Sequence, residues 1–284
     1  KTLAGTATVA GDLTVSAGTF DLTTYTCDRA SSGGTLTVSN GATLSMGNLG
    51  SAGVGNNVNV IGANATVDFF SHTSAAALTA EPGSTNNIAR FITLTLNGPS
   101  TNRGTLRLGS RNDGGQLNGA GRLVNEGLVD VFVTEPVSSG SEATFNLPVQ
   151  VASTGRLVVE TNALLNLSCS ATSLGIEGAL EIQSGGRLRV DGCNRKGLTI
   201  AAASRVTGSG TLQLESSDLT LATGDWVTPL HLVTDGGARL TIPGALVLGP
   251  GDVLRGISTV GLLGVLQDAS VNIGGATING RCEV

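Results

Sequence analysis

The chain has 284 residues, is 40% hydrophobic and only 13% charged, and carries 42 glycines but just 3% aromatic residues. Ample aliphatic residues exclude a disordered chain, and 7 prolines without a three-residue glycine period exclude collagen. A formal net charge of −5 argues against nucleic acid as a partner, and no apolar run reaches the roughly 18 residues needed to insert into a membrane.

Residues 1–48 repeat one phrase, a turn residue followed by an apolar/variable/apolar triplet, as in Gly11-Asp-Leu-Thr-Val15, Gly34-Thr-Leu-Thr-Val38 and Ala42-Thr-Leu-Ser-Met46. In each triplet two side chains point one way and the middle one the other, the period of a strand. Strands of three to five residues, separated by Gly, Asn or Ser turns, start about every seven to ten residues. Three of them per coil predict a repeat of roughly 20–30 residues. The rhythm breaks over 49–103, which reads as an irregular insertion or long loops. Within it, Ser71-His-Thr-Ser-Ala-Ala-Ala-Leu-Thr-Ala-Glu-Pro-Gly83 is the one alanine-rich run able to form a helical turn. Residues 104–284 return to regular coils, with Gly104-Thr-Leu-Arg-Leu108, Gly178-Ala-Leu-Glu-Ile182, Gly210-Thr-Leu-Gln-Leu214 and Gly244-Ala-Leu-Val-Leu248.

These phrases predict an all-β chain, a single β-solenoid domain over 1–284. The form expected is a right-handed parallel β-helix of about 10–14 short coils, roughly 50–65 Å long. Short alternating strands also fit a β-roll or a mixed sandwich. The chain starts inside the repeat pattern and neither end carries a polar or helical cap. It therefore reads as a piece of a longer protein, or as a subunit whose ends another copy covers.

The chemistry-bearing residues are few. Cys169 and Cys193 lie about one coil apart and could form a disulfide, in keeping with an oxidising compartment. Cys27 and Cys282 sit near opposite ends of the expected rod, beyond the ~7 Å reach of a bridge within one copy. They could link successive subunits or remain free. No pair of cysteines or histidines has zinc-ligand spacing, and nothing calls for a cofactor. His72 and His231 have no nucleophile beside them. Thr234-Asp-Gly-Gly237 is the nearest echo of a polysaccharide-cleaving acid site, but turn chemistry explains it better. No catalytic residue is assigned.

Trp226, in a Gly/Asp/Pro loop, together with Phe69, Phe70 and Phe91 could form a ligand-contact face for a surface glycan. Thr-x-Thr pairs at Thr6/Thr8, Thr35/Thr37 and Thr93/Thr95 suggest an ice-facing ladder, though in the sequence they are scattered. Asn64-Ala-Thr66 and Asn166-Leu-Ser168 match the N-glycosylation pattern.

The segments Gly11-Asp-Leu-Thr-Val-Ser-Ala-Gly-Thr-Phe-Asp-Leu22 and Gly33-Gly-Thr-Leu-Thr-Val-Ser-Asn-Gly-Ala-Thr-Leu44 resemble repeat stretches of bacterial surface adhesins of the autotransporter-like and filamentous-haemagglutinin-like kinds. The resemblance implies a parallel β-helix outside the cell with a structural or adhesive role. The expected partners are further copies stacked end to end or neighbouring domains of a longer chain. A carbohydrate-active or carbohydrate-binding β-helix is the alternative, and ice binding a third.

Overall fold

The computed structural model describes residues 8–9, 12–21, 31–32, 34–46, 51–54, 57–70, 72–89, 91–109, 114–133, 142–168, 173–191, 197–243, 245–248 and 251–255, and short strands between 259 and 283. Among them there is no helix. Every strand pair is parallel, and each strand pairs with its counterpart one turn away. One turn is seen in Thr93–Leu96, Ser100–Asn102 and Thr105–Gly109, which belong to three different sheets. The first sheet runs from Thr8–Val9 to Ser270–Asn272 and the second from Leu13–Val15 to Thr277–Ile278, each with 13 strands. On the third face a 9-stranded sheet ends at Arg205–Gly208, and a separate 3-stranded sheet begins at Ala245–Leu248. The chain is a β-solenoid of thirteen rungs. One turn takes from 17 residues, Val253 to Ser270, up to 28, Leu128 to Arg156.

Alternation decides what is inside. On the second sheet Leu13, Leu36, Val58 and Leu78 stand in one inward column, and on the first sheet Leu165, Leu188, Leu212 and Leu232 stand in another. The last four are fully buried. Each layer thus rests on aliphatic carbon from the layer below, and backbone hydrogen bonds between rungs fix the ~4.8 Å spacing. Gly208 closes a strand at φ 106, where a Cβ would come within 1.9 Å of the Ile182 carbonyl oxygen, so only glycine fits.

The stretch 49–103 is not an excursion from the stack. It contributes eight strands, from Ser51–Val54 to Ser100–Asn102, all paired with neighbouring turns. The alanine-rich run forms His72–Ala75 and Ala77–Ala80, not a helical turn. Thr73, Ala75, Leu78 and Ala80 point inward, and small inward residues suffice where facing columns already fill the core.

Three asparagines interrupt the aliphatic columns. Asn102 follows Ala80, and Asn125 precedes Val151. The Asn102 side-chain amide donates to Asn125 Oδ1 at 2.7 Å and to the Leu128 carbonyl at 2.9 Å. Asn125 donates to the carbonyls of Gly127 and Arg156 at 3.1 and 3.0 Å. They pin three successive turns from inside, with only Asn102 Oδ1 left without a partner among the described residues. Asn86 differs: it sits between Val67 and Leu106, fully buried, and neither amide atom has a hydrogen-bond partner among the described residues. An unpaired buried amide costs free energy that an apolar side chain does not. Asn86→Val should therefore stabilise the protein by about 1–3 kcal/mol in chemical denaturation. Leu212→Ala should destabilise it by about 2–5 kcal/mol.

Candidate functional site

Residues 222–229, Ala-Thr-Gly-Asp-Trp-Val-Thr-Pro, occupy the third face where its sheet stops and restarts. The turn begins normally, with the Ala222 N–H donating to the Ile200 carbonyl at 2.9 Å. Gly224 at φ 83 then redirects the chain, and Pro229 has no N–H to give a ladder. Trp226 faces forward only: it bridges Leu246, and its carbonyl accepts from the Val247 N–H at 3.0 Å. Among the described residues no backbone hydrogen bond joins 222–229 to the strand Arg205–Gly208 behind it. The separation leaves a cleft of about 330 Å³. Ile200, Val206, Leu221 and Trp226 are among its apolar lining, and Ser204, Arg205, Thr207, Asp225 and Thr228 among its polar lining.

The expected aromatic face is not assembled. Trp226 is only 3% exposed, its ring packed into the core where a strand's inward side chain would otherwise sit. Phe69 is fully buried because it takes the inward phase of Thr66–Phe69, stacked between Met46 and Ile88. Phe70, the next residue, is 41% exposed, and Phe91 is 47% exposed in a turn at φ 62. Burial thus removes Trp226 and Phe69 from any aromatic platform. Cys27, Cys169 and Cys193 lie outside the described residues. Cys282 is placed on a strand paired with Leu263. His72 Nδ1 accepts the Thr93 N–H at 3.1 Å, a link between adjacent turns.

The threonines are where the sequence misleads most. Thr6 lies outside the described residues and the other Thr-x-Thr pairs remain scattered, but single threonines stack in consecutive turns. On the third sheet Thr19, Thr43, Thr66, Thr85 and Thr105 form one outward column. On the second, Thr14, Thr37, Asn59, Thr79 and Thr101 form another. Turns of unequal length hide both columns. They appear once coils are aligned on their inward residues.

The outward row beside the third-sheet threonines is polar. Asn87 donates to Asp68 at 2.6 Å, and Arg107 pairs with Asp130 at 3.0 Å while lying 4.2 Å over the Phe132 ring. Glu160 comes up beside Asp130, a pairing invisible in the sequence because one turn separates them. Burial, then repulsion from Asp130 and a hydrogen bond that only protonated Glu160 can donate, raise the Glu160 carboxyl above its ordinary 4.5, with Arg107 opposing. Such a pair can share a proton, but Arg107 and Phe132 already occupy its surroundings. Elsewhere Arg103 links Glu81 and Glu126 in the turns on either side at 3.3 and 2.8 Å. Arg189 bridges Glu142 and Glu215 at 3.3 and 2.6 Å. A hydrogen bond from Arg156 holds the Glu181 carboxyl below its usual range. Among the described residues no three histidine, cysteine or acidic groups could hold a metal ion, and no helix is long and apolar enough to cross a membrane.

No family model matches the chain, and no curated protein does. A search of solved structures finds the TibC-catalysed hyper-glycosylated fragment of TibA, 16% identical over 96% of this chain and 98% of that one, with a TM-score of 0.25. At that score the likeness carries no argument about this chain's role.

The raised Glu160 value has a consequence for stability. Its favourable contribution is full below pH 4.5 and is lost as pH rises through the raised value. Glu160→Gln should raise the urea midpoint at pH 7 and change it little near pH 3.5. An equal gain at both values would show that Glu160 ionisation is not the cause.

Proposed function

We propose that the protein is an extracellular structural or adhesive element whose mechanism is mechanical: a stiff rod that presents its side faces and extends by adding further rungs. The observation supporting this is the unbroken parallel register of two 13-stranded sheets. In such a stack each rung is a template for the next, so a further copy or a neighbouring segment of a longer chain can continue it without new geometry. Thirteen rungs at ~4.8 Å give a rod of roughly 60 Å. Negative-stain electron microscopy and sedimentation velocity of the purified chain should show rods of that length, or fibres at higher concentration. Compact particles with a globular frictional ratio at every concentration would reject the reading.

Ice binding is favoured as a second reading by the stacked threonine columns. Hydroxyl and methyl groups repeating over five successive rungs of the third sheet, and over five of the second with Asn59 the one exception, offer a periodic surface to ordered water. If they act so, the protein shows thermal hysteresis, and Thr43→Tyr with Thr66→Tyr abolishes it. Both threonines point outward, so the double variant should keep its melting temperature within a few degrees. Absence of hysteresis in the unmodified protein removes this reading.

A further inference from the structure

The third sheet carries its unfinished edge inside the molecule. Along that sheet the carbonyl just before each strand accepts from the first residue of the next strand: Leu128 to Gly104 at 2.9 Å, Arg156 to Gly127 at 2.8 Å, Ala179 to Gly155 at 3.0 Å, Arg205 to Gly178 at 3.0 Å. The next acceptor in the series is the Ser204 carbonyl, and no described residue donates a backbone hydrogen bond to it. Alternate residues of a parallel strand bond to opposite neighbours. With Arg205 bonded backward, the N–H and C=O of Val206 therefore face the break. Side chains repeat the pattern. Val129, Leu157 and Leu180 of the Val206 column are fully buried, whereas Val206 is only partly so, beside Ile200 and Leu221 in the cleft. Arg205, exposed at the rim, has no ion-pair partner among the described residues.

We propose that this break accepts an extended peptide segment of another protein, which adds to the Arg205–Gly208 edge as a strand. Only a peptide backbone supplies, at strand spacing, the donor for Ser204 and the acceptor and donor for Val206, which distinguishes it from a sugar or a lipid chain. Side-chain alternation defines its sequence: an acidic residue opposite Arg205, an apolar residue over Val206, then a polar residue opposite Thr207. Trp226 backs the cleft and reports on it, being the only tryptophan in the chain.

The test uses a synthetic peptide, acetyl-Ser-Asp-Val-Thr-Val-Ser-amide, and the full chain. Titration should saturate a change in Trp226 emission, and hydrogen exchange at the Val206 amide should slow at least about tenfold on addition. A peptide N-methylated on the backbone should not bind. Arg205→Glu should weaken the acidic peptide by roughly two- to fivefold and favour a lysine-containing counterpart. Val206 protected as strongly as Leu180 in the free protein would overturn the proposal, because the loop would then close the edge itself. So would a Trp226 response to mono- or disaccharides but to no peptide, or equal binding by the N-methylated control.

Discussion

Backbone hydrogen bonds running along the axis hold each turn one strand spacing above the last, and this constraint dictates which side chain lands over which. Once Leu188 must lie over Leu165 and under Leu212, the core becomes a set of columns, and each column is judged by continuity. Chemical variety inside is then costly. Asn102 and Asn125 are admitted because their amide N–H groups all find acceptors, in Asn125 Oδ1 and the carbonyls of nearby turns, while Asn86 fits the shape of its column but not its polarity. Outside, the same constraint brings side chains from distant sequence into rows, so ion pairs such as Arg103 with Glu81 and Glu126 run from turn to turn.

Much of the architecture was legible in the sequence. The apolar/variable/apolar triplets after glycine give strands, and their spacing predicts turns of roughly 20–30 residues, close to the 17 to 28 observed. The failures share a cause. The run around Ala75–Ala80 looked like a helical turn or loop because alanine lacks the bulk that makes alternation visible, yet Thr73, Ala75, Leu78 and Ala80 keep the inward phase. Local pattern weakened, and the neighbouring turns supplied the register that it lacked.

The candidate sites were harder to read, because they depend on vertical neighbours. Threonines 19, 43, 66, 85 and 105 are separated by unequal intervals, and only the register shows them as one column. Asp130 and Glu160 meet for the same reason. Trp226 stands out in the sequence by its Gly/Asp/Pro surroundings. That location was informative, since the loop marks the break in the third sheet, but a large ring beside an open core is drawn inward. A tryptophan in a turn of a solenoid is therefore as much a plug as a platform.

The interruption at Trp226 also bears on how the rod responds to force. A pull along the axis is borne by the hydrogen bonds between rungs, and on the amino-terminal side of Gly208 three sheets share it. Between the turn that ends at Gly208 and the turn that contains Trp226, two sheets bear it alone. That junction is a fracture plane built into an otherwise uniform column, and tension would part the molecule there before it unravelled the long stack on the amino-terminal side.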